Sequence, residues 1–194
     1  MEISVGVSNR HVHLDRDTCI KLFNTDELKV VRNLSQGGEC VSDKVVVIKG
    51  AKGEIANVKV IGPLREKTQV EVSLSDAYKL GIKPPVRMSN NFEGAEDITL
   101  SNGSVDILVK NSCIIANRHI HCKTSELSKY GLSDGQVLSV RVNGIRGGVM
   151  NNVIVKAKET YNLEMHIDKD EANAFMLSNG SIVEIMEESW KREN

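Results

Sequence analysis

The chain has 194 residues, of which 40% are hydrophobic, 26% charged and 4% aromatic, with a formal net charge of -1. This is an ordinary soluble, globular composition, long enough for one large domain or two small ones. The balanced charge supplies no field for nucleic acid or a membrane surface, and so few aromatics argue against base-stacking platforms and sugar-binding clefts.

In chain order, Met1–Val7 lacks a basic region followed by an apolar core, so it does not read as a signal peptide. A helix is predicted at about Asp15–Asn24. Strands follow at Lys44–Lys49 and Ile55–Ile61, joined by the turn Lys49-Gly-Ala-Lys-Gly-Glu54. Next come a strand at Gln69–Ser73, a short helix at Ser75–Leu80, and strands at Ile98–Ser101 and Val105–Val109. Asn102-Gly103 between the last two suits a type I′ hairpin turn. A helix at Thr124–Tyr130 precedes strands at Val137–Val142, Val153–Ala157 and Leu163–Ile167. The helix Asp168–Leu177 opens on an Asp168/Glu171 capping-box spacing. A strand at Ile182–Met186 and a charged helical tail at Glu187–Asn194 complete the chain. The fold class is therefore mainly β, arranged as two small β-barrel domains with short flanking helices.

A weak repeat supports two modules. Ser8-Asn-Arg-His-Val-His-Leu14 returns about a hundred residues later, a usual domain size, as Ala116-Asn-Arg-His-Ile-His-Cys122. The boundary is expected near residues 110–117. The four cysteines, Cys19, Cys40, Cys113 and Cys122, form no CxxC pair, so neither a zinc ribbon nor a thioredoxin-like motif is present, and a reducing, cytoplasmic setting is the default.

All five histidines fall in three places: His11/His13, His119/His121 and His166. In a strand, residues two apart share a face, so each His-x-His aims two imidazoles in one direction, as half of a zinc site. One such pair is often only two polar residues on a strand; two pairs with a single histidine left over favour metal binding. Glu71 and His166 are the candidate completing ligands. The alternatives are a solvated carboxylate for Glu71 and a buried, hydrogen-bonded histidine for His166. Arg10 and Arg118 precede the pairs and face the other side of their strands. Arg65, after the turn Ile61-Gly-Pro-Leu64, has the forked donor geometry that holds phosphate bidentately.

Taken together, these segments resemble the PduL-type phosphate acyltransferases. The matching strings are Val5–Leu14, Ile61-Gly-Pro-x-Arg-x-x-Thr-Gln-Val-Glu-Val-Ser73, Asp76-Ala-x-x-Leu-Gly81, Arg118–His121, Leu132-Ser-Asp-Gly-Gln136 and Leu163-Glu-Met-His-Ile-Asp-x-Asp-Glu-Ala-Asn-Ala174, which span nearly the whole chain. The resemblance implies two zinc ions, one held by His11, His13 and Glu71 with the coenzyme A sulfur at an open position, the other by His119, His121 and His166. It implies Arg65 as the catalytic, phosphate-binding arginine, and Ser89 and Lys156 as further substrate-binding residues. It also implies an interleaved layout, residues 10–116 forming one barrel and 1–9 with 117–194 the other. The chain departs from the family pattern at Asn90, Cys122 and Lys156, where Gly, Met and Arg are usual. Lys156 keeps the charge but loses the fork.

The expected reaction is reversible transfer of a short acyl group, acetyl or propanoyl, between coenzyme A and inorganic phosphate. Neither nucleic acid nor membrane is an expected partner, and a homodimer stays open. Family members in bacterial microcompartments carry an extra amphipathic N-terminal helix. Here the first module starts almost at Met1, so a free cytoplasmic enzyme without a targeting extension is expected. Two rivals share the same residues: a dinuclear zinc hydrolase that activates water, and a zinc-stabilised β-barrel binding module with closed coordination.

Overall fold

The computed structural model describes residues 1–186; the tail expected at Glu187–Asn194 lies outside the described residues. In chain order the elements are β1 (Glu2–Ser8), β2 (His11–His13), α1 (Arg16–Phe23), β3 (Val30–Asn33), β4 (Cys40–Lys49), β5 (Glu54–Gly62), β6 (Gln69–Glu71), α2 (Leu74–Leu80), β7 (Val86–Arg87), β8 (Glu96–Ser101) and β9 (Asp106–Ala116). There follow β10 (His119–Cys122), a 3-10 turn at Thr124–Glu126, α3 (Leu127–Tyr130), β11 (Val137–Val142), β12 (Gly148–Ala157), β13 (Glu164–Asp168), α4 (Lys169–Phe175) and β14 (Ile182–Ile185). The protein is mainly β, as its sequence predicts.

The chain divides into two compact units: Asn9–Ala116, and Met1–Ser8 together with the chain from Asn117 onward. Each unit is built on a closed ring of six strands. In the discontinuous unit the order is β1-β13-β10-β12-β11-β14, closing on β1. In the continuous unit it is β9-β6-β2-β5-β4-β8, closing on β9, with β3 and β7 as flanking strands on β4 and β9.

The two rings have one topology. Step by step, the pairings are parallel, antiparallel, parallel and then antiparallel three times, in both units. Asn57 and Asn152 take the same left-handed conformation at matching places, two residues before the partner of the first histidine in β5 and β12. Asparagine tolerates that conformation better than most residues. The weak sequence repeat is thus a structural repeat, with one exchange. β1 belongs to one ring but leads directly into β2 of the other, and β9 leads across in the reverse sense into β10.

Each ring closes around its own apolar core. Val12, Ile48, Val60, Val70 and Leu100 are fully or almost fully buried in one. Val5, Ile120, Val140, Met165 and Ile167 are so in the other. Each such side chain contributes about 1.5–3 kcal/mol by leaving water. Helix starts follow from side-chain caps. Asp15 accepts from the Thr18 N–H for α1. Reciprocal capping boxes, Ser73 with Asp76 and Asp168 with Glu171, open α2 and α4.

Three details differ from expectation. The β8–β9 connection is a hairpin, but only Gly103 takes a positive φ, and the Asn102 side chain accepts from the N–H groups of Ser104 and Val105, so the turn is not type I′. β9 and β12 extend well beyond Val105–Val109 and Val153–Ala157. Their added residues do not alternate: Ser112–Ile115 of β9 are buried in succession, and of Gly148–Asn152 in β12 only Met150 is buried. The exposed strand β3 and the two-residue β7 carry no usable pattern. All four cysteines are free thiols. Among the described residues no helix is long and apolar enough to cross a membrane.

Candidate functional site

In the continuous unit, Val12 is fully buried in the core, so its neighbours His11 and His13 project to the other face of β2. β6 runs antiparallel beside it and places Glu71 opposite His11. His11 Nε2 lies 3.5 Å from Glu71 Oε2, and the two imidazole rings stand edge to face with centroids 5.0 Å apart. One candidate donor atom from each of the three residues falls within 4.8 Å of the others. The backbone carbonyl of Asn9 accepts from His11 Nδ1 at 2.8 Å. A carbonyl can only accept, so Nδ1 carries the proton, and in the neutral ring Nε2 keeps its lone pair for a metal.

Glu71 is joined to Arg65 by a short polar chain. The Gln69 amide donates to Glu71 and, at 3.0 Å, to Ser89 Oγ; its carbonyl oxygen accepts from the Asn90 N–H at 2.8 Å. Arg65 Nη1 donates to the same Ser89 Oγ at 3.0 Å, and Nη2 to Glu39 at 3.1 Å. Arg65 itself is anchored at the end of a turn containing the cis Gly62–Pro63 bond, its N–H donating to the Leu14 carbonyl at 2.8 Å. Arg65, Ser89 and Glu71 are therefore brought together within this unit.

In the other unit the arrangement repeats in the same register. Ile120 is buried between His119 and His121 on β10, and antiparallel β13 places His166 opposite His119. The His119, His121 and His166 donors also converge within 4.8 Å. His119 Nε2 and His121 Nε2 are 3.1 Å apart, and Asn117 O accepts from His119 Nδ1 at 2.8 Å, repeating the Asn9–His11 bond. His121 is 6% exposed, and its Nδ1 is buried without a hydrogen-bond partner. Burial above all, with His119, His166 and Lys156 adding repulsion, drives its pKa far below the ordinary value, so the ring is neutral. A neutral, buried ring whose Nε2 lies beside that of His119, with a His166 donor converging on both, is an environment that a divalent transition metal fills. Lys156 lies opposite His121 on β12, and its Nζ is 5.9 Å from the ring centre of Tyr161, which stacks on His121 at 3.9 Å.

Arg10 and Arg118 pair with carboxylates outside the two donor sets. Arg10 pairs with Asp76 at 2.8 Å and Arg118 with Glu171 at 3.2 Å; both carboxylates are the third residue of a capping box. Burial raises the pKa of Glu171, and the charge of Arg118 opposes that shift. Cys122 points into the core, away from His121, with its thiol pKa raised by burial.

Sequence reasoning passed over Gln69, Glu164 and Tyr161. Two of them were within reach of strand alternation: Gln69 and Glu164 each stand two residues before the third member of a set and so share its face. Glu164 Oε2 lies 2.7 Å from His166 Nε2. Tyr161 sits in a loop, where no such rule applies.

Comparison with known proteins bears on what these residues do. The sequence profile described as phosphate propanoyltransferase matches residues 4–178. A phosphate propanoyltransferase of Thermotoga maritima is 43% identical over 187 residues, covering 95% of this chain and 89% of the relative. One of Rhodobacter capsulatus is 41% identical over 184 residues, covering 94% and 86%. A third, of Rhodopseudomonas palustris, is 40% identical over 185 residues, covering 95% and 82%.

Proposed function

Since the chain belongs to the phosphate propanoyltransferase family, we propose that it transfers a short acyl group, acetyl or propanoyl, reversibly between coenzyme A and inorganic phosphate, and that it does so with zinc. The observation that carries the zinc reading is the repeated register: two sets of three converging donors, His11/His13/Glu71 and His119/His121/His166, in two rings of one topology. Zinc in these sets would supply a sulfur-binding Lewis acid for the departing thiolate at the first and charge stabilisation for phosphate or the carbonyl oxygen at the second.

The chain's own residues do the rest. A phosphate oxygen forms a bond to the thioester carbonyl carbon, the carbon–sulfur bond breaks, and the electron pair leaves on coenzyme A as thiolate. Arg65, held by Ser89 and Glu39, presents its guanidinium to phosphate and fixes its orientation, which removes part of the entropic barrier. The Ser89 hydroxyl accepts from both Arg65 and Gln69, so its own proton is directed elsewhere, toward a substrate oxygen. Lys156 supplies a positive charge on the strand beside His121.

We prefer direct transfer to an acyl-enzyme. Cys113 has its thiol pushed up to about 12 by burial, and Cys19 and Cys122 are raised in the same way, so none of these three is a ready thiolate nucleophile.

The test is thiol release from acetyl-CoA and propanoyl-CoA, with and without phosphate, before and after chelation and zinc restoration. Phosphate-dependent release, abolished by chelation and restored by zinc, is the expected result. Release without phosphate would make the protein a hydrolase. Absence of release from a folded, zinc-loaded protein would leave a binding module.

A further inference from the structure

The two donor sets match in register but not in composition, and the mismatch is informative. Across β2 and β6 the partners are His11 with Glu71 and His13 with Gln69. Across β10 and β13 they are His119 with His166 and His121 with Glu164. Gln69 and Glu164 thus occupy one structural position, and Glu71 and His166 another. In each unit the first of these is bonded to the second: the Gln69 amide to Glu71, and Glu164 Oε2 to His166 Nε2 at 2.7 Å. Each unit therefore places a single carboxylate in this pair of positions, as Gln-x-Glu in one and Glu-x-His in the other.

The space around Glu164 is kept open by a glycine. Gly6 on β1 lies opposite His166, whereas the matching residue of the other unit, opposite Glu71, is Ile114. The backbone at Gly6 is not left-handed, so conformation does not demand glycine there. A Cβ at Gly6 would lie 3.0 Å from Glu164 Oε2, 3.1 Å from its Cδ and 3.2 Å from His166 Nε2. Any side chain at this position would press on the Glu164–His166 contact.

We propose that Glu164 is a positioning residue for the three-histidine set: its carboxylate holds the His166 ring and supplies the negative charge that a set of three imidazoles does not bring, with Gly6 leaving room for it. A divalent ion on His11, His13 and Glu71 has one of its two charges offset. On three histidines alone it has none, and Glu164, which with Lys156 flanks His121 in register, adds one carboxylate to the second set. Carboxylate–histidine–metal relays orient the ring and raise its basicity toward the ion; with Glu164 on Nε2, the relay works through Nδ1 as the ligating nitrogen. The inference rests on the zinc reading of the preceding section.

The test isolates the second set. In a His11→Ala chain, which disables the first set, cobalt(II) is titrated and its visible absorption bands are followed, with folding checked by circular dichroism and thermal unfolding. Glu164→Gln keeps the size of the side chain but removes its charge. It is expected to raise the cobalt half-saturation about 10- to 100-fold and to change the band intensities. Gly6→Ala is expected to act in the same direction while leaving every donor in place. An unchanged half-saturation and spectrum in folded Glu164→Gln overturns the proposal. Should that variant not fold, an unchanged titration of folded Gly6→Ala overturns it. No cobalt bands from the His11→Ala parent would instead sink the three-histidine reading itself, before either variant is made.

Discussion

Arg65 and Ser89 meet at 3.0 Å, the guanidinium donating to a hydroxyl that also accepts from Gln69, and through Gln69 the arginine is tied to Glu71. Arg65, the proposed phosphate clamp, and the first donor set are therefore joined in one hydrogen-bonded chain. Arg65→Lys keeps the charge but cannot span Ser89 and Glu39 with two parallel donors. Its kcat/KM for phosphate should fall about 100- to 1000-fold, the scale of one lost oriented donor, with the acyl-CoA KM little changed. Steady-state kinetics with each substrate varied in turn checks this; a wild-type phosphate dependence would remove Arg65 from the reaction.

Asp15 caps α1 and also accepts from the Thr68 N–H and hydroxyl and the Thr18 hydroxyl. Burial alone would raise its pKa, but the hydrogen bonds from Thr68 and Thr18 outweigh it and hold the carboxyl below its usual 3.8. Below that value the unfolded chain binds the proton more readily than the folded one. The stabilisation is thus present above about pH 3.8 and disappears as pH falls through the lower folded value. Asp15→Ala should cost about 1–2 kcal/mol at neutral pH, and the gap from the parent should narrow in acid. Urea unfolding at about pH 7 and pH 3 measures it.

Arg118→Ala leaves the half-buried Glu171 without its cation. The folded pKa of Glu171, already raised by burial, rises further. The folded state then keeps a proton that the unfolded chain releases above about pH 4.5, so the penalty grows as pH rises through that window. A loss of about 1–3 kcal/mol at neutral pH is expected, partly recovered by adding Glu171→Gln. Failure of the second change to recover anything would show that Arg118 acts by packing rather than by charge.

Thiol reagents give an independent check on direct transfer. Cys19, Cys113 and Cys122 are buried with raised pKa values, and only Cys40 is partly exposed. Near neutral pH one thiol per folded chain should react quickly, Cys40→Ser should abolish that reaction, and activity should persist after labelling. Rapid modification of Cys113 with loss of activity would reopen a covalent route.

The sequence showed the parts of the fold where local chemistry is decisive. The Asp168/Glu171 capping box and the apolar alternation around Val70 are local signals, and each led to the element found. The ligand sets were legible because His-x-His on a strand needs no tertiary information to aim two rings together. What escaped depends on partners far away in sequence. Gln69 is fully buried because it satisfies Ser89 and the backbone of Asn90, and nothing in its neighbours announces that. Gly6 is meaningful only once β1 is known to lie beside β13. β3, exposed along its length, has no face to declare.

The exchange of β1 and β9 sets an order of events during synthesis. The ring of Asn9–Ala116 has all its strands once β9 has left the ribosome, and it can close while the remainder is still being made. β1 cannot join it. Its two neighbours, β13 and β14, are made well after the strands of that ring, so β1 is translated early and paired late. Until then the strand bearing Ile3, Val5 and Val7 has both edges unpaired, a liability of the growing chain that ring closure removes.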